Sequence, residues 1–149
     1  MKKFRYSMQD ILDMQYRLES LAKAEYAVAQ SALNEEKHKL EIINEHQRQY
    51  EECLRKLVSG RLDFKEIAFT ETAIEQKKED AKQQQKNIVM AEKALDKARE
   101  KLNQVRVERK THELLKEKAL EQYMAELNRE EATETDELVS YRYNGSKDE

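Results

Sequence analysis

The chain has 149 residues, of which 40% are charged and 38% hydrophobic, with a net charge of −3. It contains no proline, no tryptophan and only two glycines. This composition excludes a large compact core, which needs more bulky apolar side chains, and it excludes a global basic field for binding nucleic acid. Disordered chains are usually rich in proline and glycine, so the composition does not indicate a disordered chain either. Long helices packed along a narrow apolar stripe fit it best.

The first predicted helix covers residues from about 7 to 58. From Leu33 onwards, its apolar residues recur at alternating spacings of three and four, which is typical of a coiled-coil seam. Six of the eight seam positions are apolar. These positions are 33, 36, 40, 43, 47, 50, 54 and 57.

Residues 59–63 form the predicted turn. Gly60 favours a positive φ just beyond the end of a helix, and Asp63 can cap the helix that follows. No other strong helix breaker separates the two long segments. The sequence therefore predicts a hairpin, in which residues whose numbers add up to about 122 face each other.

The second predicted helix covers residues from about 64 to 142 and is followed by a frayed tail at Asn144-Gly145-Ser146. Its seam runs through 88, 91, 95, 98, 102, 105, 109 and 112 and is extended by Leu115, Ala119, Tyr123 and Leu127. Residues 75–87 contain Ala81 as their only apolar residue, so we expect weak packing towards the turn. The small residues of 22–32 would lie opposite Ala91, Ala94 and Ala98, which predicts a close approach of the helices.

The predicted fold is all-α: one antiparallel two-helix coiled-coil hairpin over residues 1–149, with the second helix longer than the first. We expect an elongated rod that is monomeric on its own. No apolar run approaches the roughly 20 residues of a membrane span. Cys53 is the only cysteine, so no internal disulfide can form. The expected compartment is the cytoplasm.

The residue pattern contains no arrangement typical of an active site, a cofactor site or a metal site. The two glycines lie far apart, so no glycine-rich phosphate loop is formed. His38 and His46 are eight residues apart, about 12 Å along a helix, which is too far to share one ion. The basic group Lys77-Lys78, Lys82 and Lys86 is interleaved with acidic residues and lacks an aromatic for base stacking. An enzyme is therefore the weakest class, and nucleic acid is not an expected partner.

Both ends of the chain resemble a known family. The opening Phe4-x-Tyr6-x-Met8-x-x-Ile11-Leu12 is similar to the start of the flagellar export protein FliJ. The closing Tyr123-x-x-Glu126-Leu127-x-Arg129-x-Glu131, with Asp136-Glu137 and Arg142-Tyr143, is similar to the end of that family. The length and the two-helix plan also match, so the resemblance covers essentially the whole chain.

The resemblance implies a non-enzymatic component of the flagellar type III protein export apparatus, without a cofactor. FliJ-like proteins resemble the coiled coil of the rotary ATPase γ subunit. The implied partners are the export ATPase FliI, its regulator FliH, the export gate protein FlhA and the export chaperones. The implied location is the cytoplasm, at the inner face of the cell membrane. Alternatives are the stalk protein of a virulence-type secretion system and a generic coiled-coil scaffold without an ATPase partner.

Two sets of contact residues follow from the resemblance. The gate set, which family members place on both arms towards the turn, comprises Ile43, His46, Gln47, Tyr50, Thr70, Ala73 and Lys77. The ATPase set lies near the chain termini, which the γ-subunit likeness places inside the ATPase ring. It consists of the aromatic residues there together with one methionine: Phe4, Tyr6, Met8, Tyr141 and Tyr143.

Overall fold

Two long helices account for almost all of the structure, a computed structural model that describes residues 3–147. Helix α1 spans Gln9–Ser59 and helix α2 spans Phe64–Lys147, and they pack against each other. No strand occurs among the described residues. The all-α prediction of a two-helix coiled-coil hairpin is therefore confirmed.

The two helices contribute to two compact units. The turn unit is Ser20–Asn103 and contains the connection between the helices. The terminal unit contains residues 3–19 and 104–147 of the described chain. Each unit has its own helix–helix packing, described separately below.

The connection between the helices is fixed by two side-chain caps. The backbone N–H groups of Lys65 and Glu66 donate to Asp63 Oδ1 at 3.1 and 3.5 Å, which confirms Asp63 as the N-cap of α2. At the other side, the Ser59 hydroxyl donates to the carbonyl of Lys56 at 3.1 Å. The prediction of a positive φ at Gly60 is wrong, because no glycine among the described residues adopts one. The Ser59 hydroxyl satisfies an end carbonyl of α1 without a left-handed residue.

Replacing Gly60 by alanine is therefore expected to stabilise the protein by about 0.4–1 kcal/mol, because alanine restricts the unfolded chain more than glycine does. A Cβ atom at this position would lie 3.5 Å from the Lys56 carbonyl oxygen, which is an ordinary contact. Chemical denaturation of the wild type and of Gly60→Ala measures the difference. A loss of stability would mean that the turn requires a conformation that only glycine adopts.

In the turn unit, the predicted seam of α1 is confirmed. All eight positions from 33 to 57 are buried or half-buried. The centre of the packing is formed by Leu33, Ile88 and Leu95. Half-buried side chains surround this centre: Tyr26, Ala29, Leu40 and Ala91.

Two polar contacts between the helices report the register of the turn unit. Lys101 Nζ lies 2.9 Å from a carboxylate oxygen of Glu25, and the two residue numbers add up to 126. The Gln84 amide donates to the backbone carbonyl of Glu36 at 2.8 Å, and these numbers add up to 120. The two sums lie on either side of the predicted value of about 122, so both contacts agree with a register near it.

Polar residues continue the seam of α2 towards the turn. Between Ile67 and Ile88, the alternating positions 67, 70, 74, 77, 81, 84 and 88 are all buried or half-buried. Within 75–87, Lys77 and Gln84 occupy seam positions that the sequence analysis did not identify, and the apolar cluster of the turn unit lies outside this stretch. Ala94 also differs from expectation, since it is exposed whereas Ala91 and Ala98 are half-buried. From Ala91 the seam steps by four to Leu95, which leaves Ala94 outside it.

In the terminal unit, the prediction that Leu115 lies in the seam is wrong. Leu115 is 44% exposed, and Lys116 is half-buried in its place. The step from Arg109 to His112 is three residues, so an alternating pattern requires a step of four to Lys116. Ala119, Tyr123 and Leu127 then continue the seam as predicted.

Helix α2 continues through Lys147, beyond the end predicted near 142 and through the predicted frayed tail. A single glycine such as Gly145 costs a helix only about 1 kcal/mol relative to alanine, and there is no proline to end it. Up to residue 145, where the description of side chains ends, Leu127 is the last half-buried residue, and every residue from 128 to 145 is exposed. In the described part of the chain, neither helix has a stretch long and apolar enough to cross a bilayer.

Candidate interaction surfaces

The segment before α1 packs against α2 in the terminal unit. The ring centroid of Phe4 lies 5.5 Å from that of Tyr123, at an interplanar angle of 48°. Tyr6 is half-buried, and its hydroxyl is buried without a hydrogen-bond partner. These two members of the ATPase set are therefore half-buried and only partly accessible to a partner, and the Phe4 ring attaches the segment to the helix.

A groove of about 1040 Å³ lies between this segment and α2. Its segment side carries Lys3 and Arg5, and its helix side carries Glu126 and Glu130. The groove is open, so these opposite charges are screened by water and contribute little to stability.

Three residues of the ATPase set remain accessible. Met8, Tyr141 and Tyr143 are all exposed, and Tyr141 retains 79% of its surface. Tyrosine supplies a large contact area together with a polar tip, which is why it is enriched at protein interfaces. The accessible part of the ATPase set therefore lies just before α1 and near the end of α2.

Most of the gate set lies in the turn-unit seam itself, and only His46 and Ala73 lie beside it. His46 is exposed, whereas five others are half-buried: Ile43, Gln47, Tyr50, Ala73 and Lys77. Thr70 is only 5% exposed, and its hydroxyl donates to the carbonyl of Glu66 at 2.8 Å. Thr70 thus offers little surface to a partner, and the accessible part of the set is on α1 and at Ala73 and Lys77.

Four large apolar residues are exposed at the connection between the helices, and the sequence analysis did not single them out. This turn-end cluster consists of Val58, Leu62, Phe64 and Phe69. The exposure of these residues could have been predicted from the sequence, because none of the four fits the alternating seam spacing of either helix. Apolar residues outside the seam of a hairpin have no partner within it.

One buried carboxylate and several half-buried charged side chains form a cluster in the terminal unit. Glu19 is 7% exposed and pairs with two arginines: Arg109 through its Nε atom, and Arg106 at 3.5 Å. Arg109 also donates to both carboxylate oxygens of Glu113, at 3.2 and 3.1 Å. The Tyr16 hydroxyl donates to Glu113 at 2.7 Å. We call these five residues the polar layer.

The hydrogen bonds of the polar layer change the pKa values of its members. The bond from Tyr16 is the main cause that lowers the pKa of Glu113, and the same bond raises the pKa of Tyr16. A carboxyl group whose pKa is lower in the folded state stabilises the fold above the ordinary glutamate pKa. This contribution is lost as the pH falls through the lowered pKa of Glu113.

The sequence analysis placed Arg109 in the seam but missed its partner on α1, Glu19. Counting back from Leu33 in alternating steps gives positions 29, 26, 22, 19, 15 and 12. All six are buried or half-buried, and they include Glu19 and Gln15. Extending the seam by this count would have placed Glu19 in the seam, where its charge calls for a basic partner such as Arg109.

The family model for the flagellar FliJ protein matches residues 4–148. The chain belongs to the flagellar FliJ protein family. The predicted family is thus confirmed, and this FliJ-family protein is a component of a type III export apparatus. A solved structure reported as a YscO homolog, CT670 of Chlamydia trachomatis, superposes on it with a TM-score of 0.70. That protein shares 21% sequence identity over 99% of each chain, which shows a common fold. No curated protein matched the FliJ-family chain.

Proposed function

We propose that this FliJ-family protein couples the export ATPase FliI and its regulator FliH to the export gate protein FlhA. In this role it also handles export chaperones, acts in the cytoplasm at the inner face of the cell membrane, and catalyses no reaction itself. The observation that carries the proposal is the family match over residues 4–148, which includes both ends of the chain.

The placement of accessible residues supports two separate contacts. The terminal unit exposes Tyr141 and Tyr143, and the turn unit exposes His46 beside the half-buried Tyr50. A small number of aromatic residues commonly dominates the binding energy of a protein interface. We therefore assign FliI to the exposed tyrosines of the terminal unit and FlhA to the α1 edge of the turn unit.

The double variant Tyr141→Ala and Tyr143→Ala is expected to weaken FliI binding by about tenfold or more while FlhA binding persists. Both side chains are exposed, so their removal should leave the fold intact. Pull-down of the purified full-length variant with FliI and, separately, with the cytoplasmic domain of FlhA measures both contacts.

The matched control is Leu138→Ala with Val139→Ala, which removes exposed apolar surface from the same part of α2 without touching a tyrosine. We expect this pair to bind FliI as the wild type does. If the tyrosine variant keeps full FliI binding, or if it loses FlhA instead, the assignment of partners to the two units is wrong.

A further inference from the structure

We propose that the turn-end cluster binds an anionic lipid surface, inserting its apolar side chains at the level of the lipid headgroups. The inference concerns residues that belong to neither the ATPase set nor the gate set, and it does not depend on the proposed function. It rests on the exposure, the angular distribution and the charge of residues 55–69.

The exposure of the turn-end cluster is high. Phe64 is 75% exposed and Phe69 is 74% exposed, and Val58 and Leu62 are also exposed. All four lie within 12 consecutive residues at one end of the turn unit. Soluble proteins rarely group exposed side chains of this size unless the patch contacts something.

The angular distribution favours lipid over a protein face. Phe64 and Phe69 are five residues apart on α2, which places them about 140° apart around the helix axis. A helix that docks on a protein uses residues three, four or seven apart, which share one face. A lipid interface surrounds the end of the connection, so it can cover side chains that point in different directions.

The spacing along the helix also fits the depth of a lipid interface. Five residues correspond to about 7.5 Å along the axis of α2. Interfacial segments bury their apolar side chains about 5–10 Å deep, at the boundary between headgroups and acyl chains. Phe69 can therefore reach this boundary when Phe64 and Leu62 are inserted.

The charge around the turn-end cluster is basic, although the whole chain is acidic. Residues 55–69 contain four basic residues and two acidic ones, whereas the whole chain has a net charge of −3. The basic residues are Arg55, Lys56, Arg61 and Lys65. One of the two acidic residues, Asp63, accepts the backbone N–H groups of the α2 cap. Arg55 forms an exposed pair at 3.3 Å with Glu52, which lies just before the segment. Basic side chains beside inserted aromatic ones provide both of the attractions that stable binding to anionic membranes requires.

Cosedimentation of the full-length protein with lipid vesicles tests the proposal. One set of vesicles contains phosphatidylcholine alone, and the other contains phosphatidylcholine mixed with phosphatidylglycerol. We expect binding to the mixed vesicles only, and the variant Phe64→Ser with Phe69→Ser should bind them about tenfold more weakly or worse. Serine and phenylalanine have similar helix propensities, so α2 should still form. Raising the salt concentration from about 0.1 M to about 1 M should release the wild type, because the Debye length falls from about 10 to about 3 Å.

Two matched controls keep the result specific. Val107→Ser with Leu114→Ser removes exposed apolar side chains from the terminal unit, and it should bind vesicles as the wild type does. Arg61→Gln with Lys65→Gln should lose binding, whereas Lys118→Gln with Arg129→Gln, at exposed positions elsewhere, should keep it.

Equal binding to neutral and anionic vesicles, or equal loss in the turn-end and control variants, would overturn the proposal. It would also be overturned if Phe64→Ser with Phe69→Ser binds vesicles normally but no longer captures the FlhA cytoplasmic domain, since the cluster would then be a protein contact. Failure of the FliI pull-down leaves the vesicle result unaffected, so the two proposals can fail separately.

Discussion

Leu95→Ala is expected to lower the free energy of unfolding by about 2–5 kcal/mol, because it leaves a cavity at the centre of the turn-unit packing. Leu95 is 6% exposed and packs with Leu33 and Ile88. A two-helix seam is narrow, so few neighbouring side chains can move in to fill the space. Urea denaturation followed by circular dichroism measures the change.

The matched control is Leu115→Ala, which makes the same chemical change at a position outside the seam. Substitutions at exposed sites of this kind usually change stability by no more than about 0.5 kcal/mol. A cost at Leu115 as large as that at Leu95 would show that Leu115, and not Lys116, occupies the seam.

Glu19→Ala is expected to lower Tm by several degrees, because it leaves Arg109 in the seam without its buried carboxylate partner. Replacing both members, as Glu19→Met with Arg109→Met, should cost less than the single change, since the charges that then lose a partner, those of Arg106 and Glu113, are partly exposed to water. Thermal unfolding of the three proteins provides the comparison.

Glu25→Ala serves as the control for the Glu19 variant. Its ion pair with Lys101 also joins the two helices, but both side chains are about half exposed. Exposed pairs contribute little, so Tm should hardly change. If Glu19→Ala is as mild as Glu25→Ala, the polar layer is not a buried charge cluster.

Much of the fold could be predicted because spacing along a helix is a local property. The alternating pattern from Leu33 to Leu57 identified the seam, and Asp63 identified the start of α2. The error at Leu115 arose from following apolar character instead of spacing. The missed pair of Glu19 with Arg109 has the same origin, since a charged residue gives no apolar signal.

Other features could not be predicted because they depend on tertiary contacts. The segment that contains Phe4 and Tyr6 is not helical, so no periodicity indicates which surface it covers. Its position is set by packing on Tyr123, more than 100 residues away in the chain. The φ of Gly60 was also mispredicted, because the Ser59 hydroxyl satisfies the end of α1 in a way that a glycine preference does not reveal.

The exposed end of α2 has a thermodynamic consequence. Residues 128–145 are all exposed, so this part of α2 gains little from packing and can fray from its end. Thr133 and Thr135 bond back to the carbonyls of Arg129 and Glu131 at 2.9 Å, an arrangement that slightly weakens a helix. Any partner that binds this segment must also supply the free energy that orders it. Thr133→Ala would then tighten binding even if residue 133 does not touch the partner. The change raises the fraction of free protein in which this segment is already helical.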